Sequence, residues 1–231
     1  IAASQRREYL EQTGDRNYQE RVARGSRFTG LDRFVLWLSR HYMAVFNTVL
    51  FLFVGLAFLA PVLAESGQTR AANLIYKSYS ILCHQLAFRS YFLFGEQAFY
   101  PLERAEVAGV VPYEQVIGEA DILAARKFIG DEKLGYKTAL CERDIAIYLG
   151  FLGFGLLFSI LKNKGKPLNW LVWIIVGIFP IAVDGVSQLP GLANNLPAWL
   201  PIRESTPLPR TVTGLLFGVS TAWWRRPSTT C

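Results

Sequence analysis

Four long apolar runs alternate with polar, charged segments along this chain. Residues 42–64 carry almost no charge and are long enough to cross a bilayer. Residues 145–161 and 168–189 have the same character, and residues 211–224 form a shorter fourth run. The pattern predicts four membrane-spanning helices.

Two segments between the first and second runs differ from the rest. Residues 71–94 are apolar enough for a helix, but they contain Lys77, His84 and Arg89, which are costly in lipid. We therefore expect an interfacial or re-entrant helix there. Residues 95–144 mix charges with prolines, so we expect an extramembrane segment with short amphipathic helices. The predicted fold class is all-α: a polytopic membrane helix bundle with about four transmembrane helices plus the interfacial or re-entrant helix.

Basic residues near the ends of the apolar runs predict the topology. They concentrate in an N-terminal arm, in a loop at 162–166 and in the pair at 225–226. With four spans, the positive-inside rule places all three segments in the cytoplasm. The expected protein is a multi-pass protein of the cell membrane with cytoplasmic termini. Its predicted domains are a basic arm with an amphipathic lead-in, 1–40, and one transmembrane domain, 41–231, that includes the extramembrane segment.

Composition agrees with lipid as the main environment. The chain has 231 residues, of which 52% are hydrophobic and 18% are charged, and this is too apolar for an ordinary soluble domain. The net charge is +6, but the basic residues flank the apolar runs, so nucleic acid is not an expected partner. The expected partners are the lipid bilayer and other membrane protein subunits.

In this topology the unusual polar residues converge on the extracytoplasmic face. Such convergence defines a candidate site, although no known catalytic arrangement is visible. The candidate residues are Cys83, His84, Gln85, Arg89, Ser90, Cys141, Arg143, Asp184, Gln188, Ser205 and Arg210.

These positions also carry a resemblance to a known family. The sequence contains CHQ-x3-RS at Cys83, C-x-R at Cys141, DG-x-x-Q at Asp184 and R-x-x-TG at Arg210. Over residues 71–224 this resembles an uncharacterised family of bacterial and archaeal predicted integral membrane proteins. The resemblance implies the helical membrane architecture and no activity.

The cysteines allow three interpretations. Cys83 and Cys141 both lie outside in the predicted topology, where disulfides persist, so they are a disulfide candidate. Alternatively, Cys83, His84, Cys141 and Asp184 offer thiolate, imidazole and carboxylate ligands that together suit zinc. Thiol-disulfide or quinone-coupled chemistry is the third possibility, although the chain lacks a C-x-x-C motif.

Asp184 and Gln188 are one helical turn apart and are expected to face the bundle interior. The expected partner of Asp184 is Arg143, Arg203 or Arg210, in a structural ion pair or in a proton or substrate site.

An aromatic run follows the CHQ motif. It comprises Phe88, Tyr91, Phe92, Phe94, Phe99 and Tyr100. It is expected to anchor the chain at the membrane interface or to line a groove for a quinone or pigment.

Small residues recur at four-residue spacing, as Ala146-x-x-x-Gly150 and Gly214-x-x-x-Gly218. Packing within the chain is favoured over dimerisation. Two functions remain open at this point. One is an accessory or structural subunit of a larger membrane complex, in which the polar cluster is a lock. The other is a small membrane enzyme, metal-dependent or thiol-redox, that uses the cluster as its site.

Overall fold

A computed structural model describes residues 30–118, 121–160, 167–188 and 204–224. The described chain is mostly helical. Its long helices are α1 (Gly30–Glu65), α2 (Thr69–Tyr79), α5 (Glu142–Ile160), α6 (Trp170–Val186) and α7 (Pro207–Trp224). The predicted basic arm, except for its last residues, and the basic groups at 162–166 and 225–226 lie outside the described residues.

The segment between α2 and α5 contains short elements only. Two helices, α3 (Tyr113–Val116) and α4 (Ile122–Lys127), accompany 3-10 turns at Ala87–Arg89 and Glu103–Ala105. Three strands, β1 (Phe92–Leu93), β2 (Gly130–Asp131) and β3 (Gly135–Lys137), form an antiparallel sheet in the order β1-β3-β2.

Two helices of the described chain are long and apolar enough to cross a membrane. They cover Arg33–Glu65 within α1 and Glu142–Ile160, which is α5. Helix α6 is apolar but shorter. All four predicted runs are therefore helical, while the length and hydropathy of the described helices support two candidate spans rather than four.

The chain divides into two compact units, Ile1–Val45 and Phe46–Cys231. In the first unit, Trp37 stacks between Phe34 and His41 on successive turns of α1. The predicted domain boundary at residue 40 falls inside this helix. All of the packing and the site described below belong to the second unit.

Helices α5 and α7 pack backbone to backbone through their small residues. A methyl group built on Gly218 would lie 2.2 Å from the carbonyl oxygen of Ile147, and one on Gly150 would lie 2.9 Å from that of Leu215. Gly214 meets Ala146 in the same way. The prediction of packing within the chain is confirmed, because the small residues of the α5 motif lie against those of the α7 motif.

Helix α6 contains a wide turn. Residues Trp170–Trp173 are α-helical, Ile174–Ile178 form a π-helical turn, and Phe179–Val186 return to α-helix. Pro180 explains the position of the turn, since its ring has no N–H and collides with the carbonyl one turn earlier. Before this turn, Trp173 stacks on Trp224 of α7 and donates a hydrogen bond to Thr221, at 3.0 Å.

The segment between α2 and α5 has its own apolar core. Phe88, Phe92 and Tyr100 are buried there, with edge-to-face contacts to each other or to Tyr113. These three aromatic residues are core residues, whereas Phe94 of the same run is 54% exposed. Burial of apolar surface explains the three. The expected role of the run as an interface anchor or as a groove for a quinone or pigment stays a prediction.

Residues 71–94 differ from the predicted single helix. Helix α2 ends at Tyr79, and the chain then makes a turn that holds Gln85 in the left-handed region, at φ 52°. The helix ends because buried partners outside α2 fix the chain that follows it, as described below. The sheet was not predicted either, since its strands of two or three residues are too short to produce an alternating pattern.

We expect Gly218→Ala to reduce the free energy of unfolding by about 1–3 kcal/mol, because the new methyl group forces α7 away from α5. Gly153→Ala on α5 is the matched control, since nothing lies within 4 Å of a methyl group there. It should leave stability unchanged or raise it by up to about 1 kcal/mol. Unfolding of both variants in mixed micelles measures the difference. Equal losses in the two would contradict the packing.

Candidate functional site: a polar cavity

The CHQ turn is held by the side chain of its glutamine. The Nε2 of Gln85 donates hydrogen bonds to the carbonyls of Tyr76, at 2.9 Å, and Ala139, at 2.8 Å. The hydroxyl of Tyr76 in turn donates to the carbonyl of Lys137, at 2.5 Å. These bonds join the end of α2 to the residues that precede α5. They bring Cys83 next to Cys141, which is 58 residues away in sequence.

Lys137 completes this joint from the other side. Its buried Nζ donates to the carbonyls of Gln85 (2.6 Å), Arg126 (2.8 Å) and Ala125 (3.3 Å). All three ammonium donors are therefore used on backbone oxygens. Burial lowers the pKa of Lys137 to about 7, and the charge of Cys83 opposes the shift.

Cys83 and Cys141 are free thiols, so the predicted disulfide is not formed in the structure. Their sulfur atoms and a carboxylate oxygen of Asp144 all lie within 4.8 Å of one another. The backbone N–H of Cys141 donates to the Sγ of Cys83, at 3.3 Å. Hydrogen bonding between the two thiols lowers the pKa of Cys83 and raises that of Cys141.

A buried ionic network lies beside the thiols. Glu204, whose side chain is only 2% exposed, receives hydrogen bonds from Arg89 (3.0 Å), Arg104 (2.8 Å) and Arg210. Arg210 also contacts Glu142 at 3.4 Å and donates to Gln188 at 3.3 Å. The network thereby joins the segment before β1, the start of α5, the end of α6 and the start of α7.

Asp184 joins the same network through α6. Arg143 is its salt-bridge partner, and Gln188 donates to both its backbone oxygen, at 2.6 Å, and its carboxylate, at 3.3 Å. Both Asp184 and Gln188 are buried. The predicted inward face is confirmed. Arg143, one of the three expected partners, pairs with Asp184, and Arg203 lies outside the described residues.

A cavity of about 390 Å³ opens between the thiols and the arginines. Among its lining residues are Asp144 and eight of the eleven predicted site residues: Cys83, His84, Gln85, Arg89, Cys141, Arg143, Gln188 and Arg210. Three predicted residues do not line it. Asp184 lies behind Arg143, while Ser90 and Ser205 are buried and bond to the carbonyls of Leu86 and Thr206.

Five charged residues of the site were not in the predicted set. Asp144 replaces Asp184 beside the two thiols, Glu142 and Glu204 pair with Arg210, Arg104 donates to Glu204, and Lys137 supports the turn. The spacing of Cys141 and Asp144 was an available signal, since residues three apart share a helix face. No local pattern marks Glu204 or Lys137, whose partners are distant in sequence.

Comparison with known proteins supports a membrane protein without a known activity. The model of a family described as a predicted membrane protein, DUF2085, matches residues 129–224. An uncharacterized protein of Methanocaldococcus jannaschii is 25% identical over 198 residues, which cover 82% of this chain and 93% of that protein. No solved structure matches. The resemblance to an uncharacterised family of predicted membrane proteins is confirmed. The range matched by the family model includes Cys141, Asp184 and Arg210 and begins after Cys83.

We expect Lys137→Met to lower the free energy of unfolding by about 2–4 kcal/mol, because it leaves three buried carbonyl groups without a donor. Lys133→Met, at an exposed position on the same hairpin, is the control and should change stability by less than about 0.5 kcal/mol. Unfolding in mixed micelles measures both. A loss in Lys133→Met equal to that in Lys137→Met would argue against the ammonium as the support of the turn.

Proposed function

We propose that this chain is a multi-pass membrane protein that binds a thiophilic divalent metal ion, of the zinc class, at Cys83, Cys141 and Asp144. The observation that carries the proposal is the approach of two free thiols and one carboxylate to within 4.8 Å at the wall of a cavity. Thiolate sulfur and carboxylate oxygen are ligands that zinc accepts together.

The arrangement has the character of an open metal site. Three protein ligands are the usual number in catalytic zinc sites, where the fourth position takes water or substrate. His84, expected from the sequence to be a ligand, is exposed and lines the same cavity, but it is not in the group of ligand atoms that lie within 4.8 Å of one another. Its imidazole can exchange protons with a bound water. This proposal is a metal-dependent form of the membrane enzyme suggested by the sequence, with Asp144 in the place expected for Asp184.

We further propose four membrane spans with both termini in the cytoplasm. Helix α7 packs against α5, and α6 packs against α7. The 17 and 18 residues of α6 and α7 give lengths of about 26 and 27 Å, close to the ~30 Å hydrocarbon core. This topology places residues 65–144, and hence the cavity, on the extracytoplasmic side.

For the topology, we expect a membrane-impermeant thiol reagent added to intact cells to label Glu96→Cys, at an exposed position between α2 and α5. It should label Asn163→Cys, in the basic loop, only after the membrane is permeabilised. The unmodified chain gives the background from its native cysteines. Labelling of Asn163→Cys in intact cells, with Glu96→Cys protected, would reverse the proposed orientation.

An accessory or structural subunit of a larger complex is the second candidate. The buried network around Glu204 favours it, since it ties together segments from four parts of the chain without requiring a ligand. In this alternative the polar residues act as a structural lock, and the thiols contribute only to packing.

To test the metal site, the reduced protein is purified in mild detergent, loaded with Co²⁺ or Zn²⁺, and analysed for bound metal. We expect one ion per chain and, with Co²⁺, the charge-transfer absorption of a thiolate ligand. Cys83→Ser and Asp144→Asn should each weaken binding at least about tenfold, as loss of a ligand requires.

Two controls make this result specific. Glu96→Gln changes an exposed carboxylate away from the thiols and should bind metal as the unmodified chain does. Asp184→Asn should also retain metal, because its carboxylate is engaged with Arg143. Stoichiometric partner proteins and no metal in the unmodified chain would favour the accessory subunit, and unchanged binding in Asp144→Asn would exclude this ligand set.

A further inference from the structure

The geometry points to a binding site for an oxyanion, such as a phosphate group, on the arginine wall of the cavity beside the thiols. Three arginines line this cavity: Arg89, Arg143 and Arg210. In assigning the anion to a substrate, the inference rests on the proposed function. The evidence that an anion binds comes from the arginines alone.

Each of these arginines is fixed by a carboxylate that does not line the cavity. Arg89 is held by Glu204, Arg143 by Asp184, and Arg210 by Glu142 and Glu204. The carboxylates therefore lie behind the guanidinium groups as seen from the cavity, and the guanidinium groups form the cavity wall. Donors held in place before a ligand arrives bind an anion more strongly than mobile ones, because no ordering is needed on binding.

Two of the guanidinium groups keep a free terminal nitrogen. Arg89 uses Nε and one terminal nitrogen on Glu204, and Arg143 uses one terminal nitrogen on Asp184. The Nη1 groups of both have no hydrogen-bond partner among the described residues. Their side chains are 31% and 25% exposed, whereas Arg210 is buried and engaged at both terminal nitrogens. Arg89 and Arg143 are therefore the residues that reach a ligand.

Charge favours an anion over a neutral ligand. Among the described residues, the network contains four guanidinium groups, from Arg89, Arg104, Arg143 and Arg210, and three carboxylates, so that its guanidinium groups outnumber its carboxylates by one. Among the described residues that line the cavity, Asp144 is the one carboxylate, and it stands at the thiols. Planar guanidinium groups match the oxygens of a phosphate or carboxylate in a two-point contact.

The test uses metal-free, reduced protein in phosphatidylcholine nanodiscs, so that it does not depend on the metal site. The readout is the rate of alkylation of Cys83 and Cys141, which both line the same cavity. We expect inorganic phosphate to slow this alkylation in a saturable way. A second arm replaces part of the phosphatidylcholine with phosphatidic acid and omits inorganic phosphate. Protection in the first arm alone identifies a soluble oxyanion, and protection in the second identifies a lipid headgroup.

Arg89→Gln and Arg104→Gln form a matched pair of variants. Both remove one guanidinium from Glu204, but Arg104 is 60% exposed and does not line this cavity. We expect phosphate protection to weaken about ten- to hundredfold in Arg89→Gln and to persist in Arg104→Gln, as loss of a charged hydrogen bond predicts. Arg143→Gln should behave like Arg89→Gln, and thermal unfolding confirms that each variant is folded.

The outcomes separate the two proposals. If phosphate slows the alkylation and the protein takes up no metal in the separate loading experiment, the anion site is supported and the metal site is rejected. Metal binding without protection in either arm overturns the anion site, as does equal protection in Arg89→Gln and Arg104→Gln.

Discussion

The cost of removing Glu204 and Arg210 from water is the constraint on which the rest of this structure depends. A buried charge without a partner is strongly destabilising, and the two side chains are only 2% and 3% exposed. They can be buried only if the segment before β1, the start of α5, the end of α6 and the start of α7 arrive together, because Arg89, Glu142 and Gln188 lie on those elements. The network contributes specificity of arrangement more than net stability, since desolvation offsets much of the pairing energy. The same arrangement leaves the guanidinium groups facing the cavity and their carboxylates behind them.

Sequence reasoning worked where the determinant is local. Long apolar runs fix the helices, so α5, α6 and α7 fall close to the predicted spans, and a carboxylate at Asp184 within an apolar helix required a basic partner. The four-residue spacing of small side chains likewise predicted packing within the chain, which the structure shows between α5 and α7. Hydropathy alone does not decide how many of these helices cross a membrane, because α6 is short and the first half of α7 contains Arg210 and two threonines.

The rest depends on contacts between residues far apart in sequence. In the sequence nothing distinguishes Lys137 from a surface lysine, and only the fold places three distant carbonyls around its ammonium group. Phe88 and Tyr100 likewise resemble interface residues in the sequence, and the fold buries them in the core beside the short sheet. The ligand group is a similar case. Asp184 and Asp144 are equally plausible from composition, and only the way α5 begins beside the CHQ turn selects Asp144 as the neighbour of both thiols. The sequence therefore predicted most of the polar residues that line the cavity, but it placed Asp184 rather than Asp144 beside the thiols.

The separation of Cys83 and Cys141 by 58 positions in sequence has a consequence for the biogenesis of this protein. The turn that contains Cys83 is shaped by Lys137 and by the carbonyl of Ala139, so it cannot form until that part of the chain has left the ribosome. At about 5–20 residues per second, the first thiol waits roughly 3–12 s for its neighbour. During that interval it is an unpaired, reactive group on an unfolded segment.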